Sequence, residues 1–125
     1  DLLCPEGAVE DAPSKVYAKP LPAFLYAHSS LQEHVQVAVS ERSTLTHNPK
    51  EIVAVISGQQ HRYGVLSWKG PWSMPHSWWQ ETAEAIAHAP CTHYLRVTCE
   101  NSSDLLLMWE RGSWSVAGIY EDHQG

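Results

Sequence analysis

LLLMWERGSWSVAGIY, residues 105–120, decides the fold. Two apolar runs meet at Arg111-Gly112, a pair suited to the tight two-residue turn of a β-hairpin. With the turn there, Glu110 faces Ser113, Trp109 faces Trp114, Leu107 faces Val116 and Leu105 faces Gly118. Apolar then meets apolar along one face, and a slip of one residue would turn that whole face to water, so the register is specified. Residues 94–99 add a third strand through Asn101-Ser102-Ser103, giving a three-stranded meander at the end of the chain.

Working backwards, residues 52–56 (IVAVI) form a β-branched run consistent with a strand covered on both faces. Ser57-Gly58-Gln59-Gln60 turns the chain, and residues 61–68 return as a strand that Lys69-Gly70-Pro71 is expected to end. Residues 35–39 alternate strictly, with Val35, Val37 and Val39 on one face, and residues 23–27 form another short apolar strand. One helix is expected, at about 78–88. Ser77 and Gln80 make a capping box, Trp79, Ala83 and Ile86 share a face, and Pro90 ends it. The expected fold is α+β and β-rich: a small, partly closed antiparallel barrel of about six or seven short strands with one helix.

Length and charge bound the rest. A chain of 125 residues and 14.0 kDa holds one core. Residues 1–20, with four prolines and glycines among polar neighbours, read as a linker or flexible tail, and residues 21–122 as a single globular domain. No apolar stretch approaches the ~18 residues of a membrane span. Three cysteines, an odd count, suit a reduced, cytoplasmic setting. The net charge of −6 and the absence of any basic run argue against nucleic-acid binding as the main role. A local patch of Arg42, Lys50 and Arg62 is the alternative: single-stranded nucleic acid on a small barrel.

Chemistry-bearing groups are sparse. No Gly-x-Ser-x-Gly elbow or phosphate-cradling glycine loop occurs, and no catalytic residue is assigned. His88-x-x-Cys91-x-His93, followed by Cys99, straddles Pro90 and a strand start, so no metal or other cofactor is expected. Cys99 shares a strand face with Leu95 and Val97 and reads as a buried, inert thiol. Four of the six tryptophans, Trp68, Trp72, Trp78 and Trp79, crowd into residues 68–79. Trp72, Trp78 and Trp79, with Lys69 and Glu81 at the rim, form the expected partner-binding surface, since tryptophan beside acids suits a protein interface.

The ordered set Gly70-Pro71-Trp72, Trp78-Trp79, Tyr94-Leu95-Arg96-Val97, Leu105-Leu106-Leu107 and Trp114-Ser115-Val116-Ala117-Gly118-Ile119-Tyr120-Glu121 resembles the C-terminal domain of actinobacterial ImuB proteins. These are non-catalytic homologues of Y-family DNA polymerases. Pro22-Ala23, residues 35–39, and Arg42 with Leu45 and Pro49 resemble the entry into that domain, so the likeness spans roughly residues 20–121. It implies a non-enzymatic, protein-interacting adaptor in damage-induced, error-prone translesion synthesis. The implied partners are an ImuA-like RecA-related protein and an error-prone polymerase subunit, with the sliding clamp engaged by parts of the parent chain outside this sequence. Contact with nucleic acid would be weak or indirect, and the parent complex would associate with the nucleoid. Two features depart from the family: the clamp-binding Gln-Leu-aromatic peptide is missing, with only Pro20-Leu21-Pro22-Ala23-Phe24 as an echo, and residues 80–90 are longer and more acidic.

Overall fold

The computed structural model describes residues 13–27, 35–75, 91–100 and 103–120. Seven strands run in chain order: β1 (Lys15–Ala27), β2 (Val35–Gln36), β3 (Pro49–Ile56), β4 (Gln59–Pro75), β5 (Cys91–Cys99), β6 (Asp104–Glu110) and β7 (Ser113–Tyr120). All pairings are antiparallel, and β1–β3–β4–β5–β6–β7 closes on itself through β1–β7. The expected partly closed barrel is therefore a fully closed ring of six strands, with β2 appended to β1. Among the described residues there is no helix, and the 78–88 segment expected to be helical lies outside them.

Two hairpins are built alike. Ser57-Gly58 and Arg111-Gly112 both have φ positive at both residues (54° and 79°; 53° and 80°), the mirror-image turn whose twist matches that of the flanking strands. The second hairpin has the expected pairs Glu110–Ser113, Trp109–Trp114 and Leu107–Val116. Leu105, however, faces Ile119 and not Gly118, because a bulge between Leu106 and Leu107 inserts Ala117 on β7. The bulge bends β7 where the start of β1 lies across it: a Cβ on Gly118 would stand 2.7 Å from the Lys15 carbonyl oxygen and 2.8 Å from Pro13 Cβ.

Three further expectations change. β1 begins at Lys15, inside the expected linker, with Lys15 opposite Ile119 and Val16 opposite Gly118. β4 runs on to Pro75 instead of ending at Lys69-Gly70-Pro71; a register shift between Lys69 and Trp72 accommodates the proline as a bulge. The expected strand over 35–39 is paired only at Val35 and Gln36. Val37 is buried beyond it, Val39 bridges Leu45, and Val35 is exposed.

Alternation sorts the side chains. Leu25, Ile52, Ala54, Leu95, Val97, Cys99, Leu105, Leu107, Trp114 and Val116 fill the interior. The opposite face of β5–β7 is also buried, around Tyr94, Leu106, Met108, Ala117 and Tyr120, with Trp72 and Met74 packed on it. Arg96 closes that second cluster: Nε and one terminal nitrogen reach Asp104 Oδ2 at 2.9 and 2.8 Å, and the guanidinium lies 3.8 Å from the Tyr120 ring centre.

Candidate functional site

β1 holds β3 along one edge from Ala23 to Ala27 and divides its other edge between two strands. β7 pairs with it as far as Ala23–Trp114, and β2 takes over at Tyr26–Gln36. Between them the barrel wall is interrupted at Phe24 and Leu25. The Leu25 carbonyl accepts from Val37 N–H at 2.8 Å, which ties the far side of the gap.

The interruption is a notch of about 210 Å³, walled by Phe24, Gln36, Val37, Trp109, Ser113 and Trp114. The two indoles meet across the hairpin with ring centres 5.0 Å apart and planes tilted by 59°, a favoured aromatic geometry. Trp114 is buried and donates its Nε1–H to the Val37 carbonyl at 2.7 Å, so the back wall is fixed by a buried hydrogen bond. Trp109 is only half-buried. Phe24 forms the lip, 39% exposed and stacked on Tyr26 with centroids 6.3 Å apart. A pocket with two indoles, an exposed aromatic lip and no charged residue among its described lining suits one large apolar side chain, with Gln36 and Ser113 offering polar groups beside it.

Above the notch, residues 37–49 fold over this end of the barrel. Ser40 N–H donates to the Thr44 carbonyl at 2.7 Å, and Ser40 Oγ accepts from the Arg42 and Thr44 N–H groups at 3.2 and 3.4 Å. Ser43, at φ 62°, places its hydroxyl 3.1 Å from His93 Nε2, on the residue that faces Trp109. The Arg42 and Thr44 N–H groups are used inside the loop, and the Ser43–His93 contact joins the loop to β5.

Of the residues singled out from sequence, the described ones, Lys69, Trp72, Arg42, Lys50 and Arg62, do not line the notch. Lys69 is exposed on β4, and Trp72 is half-buried against the Tyr94–Tyr120 cluster. Trp78, Trp79 and Glu81 lie outside the described residues. Arg42 sits in the 40–44 loop. Lys50 is the exposed extra residue of a β3 bulge, between the pairs Ala27–Pro49 and Tyr26–Glu51. Arg62, on β4, is paired with Glu51 across the strands at 3.2 Å, so a phosphate there would meet the Glu51 carboxylate as well.

Among the described residues no three His, Cys, Asp or Glu side chains converge as a metal site, and His88 lies outside them. Cys99 is buried, and burial, with smaller contributions from Asp104 and Glu100, pushes its thiol up to about 11, far from a nucleophile's range. Sequence reading missed Phe24. Its signal was the phase of residues 23–27: with Ala23 and Leu25 inside, Phe24 and Tyr26 must point out.

Comparison of the chain with protein-family models, curated proteins and solved structures finds no match.

Proposed function

We propose that this chain is a non-enzymatic protein-interaction domain, the tail of an ImuB-like adaptor that helps assemble an error-prone translesion-synthesis complex in the bacterial cytoplasm. The observation that carries the interaction reading is the notch: a partner inserts one apolar side chain against Trp109 and Trp114 and packs its flanks on Phe24. The sequence likeness over residues 20–121 supplies the partner class, an ImuA-like RecA-related protein or an error-prone polymerase subunit. Trp78, Trp79 and Glu81, with Lys69, remain candidates for a wider footprint.

The test is calorimetric titration of the domain with the ImuA-like protein of the same organism. Phe24→Glu places a charge on the lip of the notch and is expected to weaken binding at least tenfold while the thermal midpoint stays within a few degrees, since Phe24 is partly exposed. Unchanged affinity in Phe24→Glu would remove the notch from the interface.

The second reading, a single-stranded nucleic-acid module, draws on the stacked Phe24–Tyr26 pair and on the charge of the described residues: all eight Lys and Arg against five acids, Glu41, Glu51, Glu100, Asp104 and Glu110. A salt titration separates the two. Oligonucleotide affinity that falls steeply between 50 and 200 mM salt favours this second reading.

A further inference from the structure

Among the described residues, none fills the end of the barrel opposite the 37–49 cap. A cavity of about 80 Å³ sinks into it, floored by the buried Ala54, Cys99, Leu105 and Val116 and rimmed by half-buried residues that include Tyr17 and Tyr63. Each of the six ring strands contributes to its wall.

β1 holds it open. Between the pairs Val16–Gly118 and Leu21–Val116, β1 spends four residues where β7 spends one, so β1 bows away from the ring and sets Tyr17 on the rim. None of the described lining residues carries a charge, and the polar groups, the Tyr17, Tyr63 and Ser103 hydroxyls, belong to half-buried rim residues. An enclosed apolar cavity of about 150 Å³ stays dry and takes up benzene; at about 80 Å³ and open at its mouth, this one seats a single ring with one edge at the rim.

We propose that this cavity is a binding site for a neutral, single-ring aromatic compound, its ring against Ala54, Cys99, Leu105 and Val116 and a hydroxyl substituent turned toward Tyr17 and Tyr63. The size admits one ring and excludes fused systems, and the uncharged wall excludes carboxylates and amines. The site is at the other end of the barrel from the notch and does not depend on the adaptor reading.

Phenol is the probe, titrated into the whole chain and followed by amide and methyl chemical shifts. Saturable shifts confined to residues around 54, 99, 105 and 116, with a dissociation constant of about 1 mM, are expected for a ligand of seven heavy atoms. Benzoate, of similar size but charged, should give none. Ile56→Trp at the rim should plug the mouth and weaken phenol at least tenfold. If that variant fails to fold, Cys99→Ala deepens the floor and should shift preference from phenol to 4-methylphenol. Shifts that stay linear with phenol, saturate at the Trp109–Trp114 notch instead, or match those given by benzoate overturn the proposal.

Discussion

The two ends of this barrel share six strands and little else. At one end large aromatics fill the interior, and a loop is fastened over them by an indole hydrogen bond to Val37 and a hydroxyl–imidazole contact at His93. At the other, the buried floor is Ala54, Cys99, Leu105 and Val116, side chains that leave about 80 Å³ unfilled above them, and the tyrosines stand on the rim. The difference shows that closing a ring of strands and filling it are separate problems. At the aromatic end the indoles occupy the interior while the wall of strands is broken at Phe24 and Leu25; at the other end Lys15–Ile119 and Val16–Gly118 still pair while a void remains inside.

Three experiments bear on that contrast. The largest effect is expected at the filled end. Trp114→Ala removes a buried indole and leaves the Val37 carbonyl without its donor, and should cost about 3–5 kcal/mol in urea unfolding; a loss under about 1 kcal/mol would mean the cap is held by something other than the indole.

The second concerns the floor of the open end. In the folded chain the Cys99 thiol keeps its proton up to about 11, against an ordinary value of 9.0 that the unfolded chain recovers. Below pH 9 the thiol is protonated in both states and the full stability is present. As pH rises through 9 toward 11, the unfolded chain ionises first, so stability falls, by about 2–3 kcal/mol in total. Cys99→Ala should lack this component of the alkaline slope, read from urea midpoints between pH 8 and pH 11. Parallel slopes for the two proteins would show that Cys99 is not shielded.

The smallest effect is predicted at the rim. Ile56→Phe adds volume beside an existing void and should change stability by no more than about 0.5 kcal/mol. Overfilling the packed interior at Leu107, which borders neither void, should cost about 1–3 kcal/mol in Leu107→Phe. Equal costs would erase the distinction between the rim and the packed interior.

What could be read from the sequence follows the range of the forces involved. The Arg111-Gly112 hairpin was legible because turn chemistry and the facing pairs lie within a dozen residues. Its bulge at Ala117 was not, because it adjoins Gly118, where Pro13 and Lys15 lie too close for a side chain, a contact across nearly the whole chain. The start of β1 was hidden for the same reason: Lys15 and Val16 join the sheet through backbone pairing with β7, which leaves no apolar rhythm to read. Pro71 was taken as a strand end, yet a bulge lets β4 carry it through. The notch was half legible. The pairing of its tryptophans follows from the hairpin register, while the lip at Phe24 and the break in the wall depend on where two strands share one edge of a third.

The β1–β7 seam has a mechanical consequence. Lys15 lies opposite Ile119, so the chain enters and leaves the barrel side by side at the same end of one antiparallel ladder. The hydrogen bonds of such a ladder lie across the strands. Tension applied between entry and exit therefore loads them one pair at a time, Lys15–Ile119 and then Val16–Gly118, and does not shear them all together. The four-residue bow that follows holds slack to be drawn out before the next pair, Leu21–Val116, takes the load. Under pulling, this barrel opens like a zip from its termini, at low force and in steps, and the mouth is the first part of the lumen to be exposed.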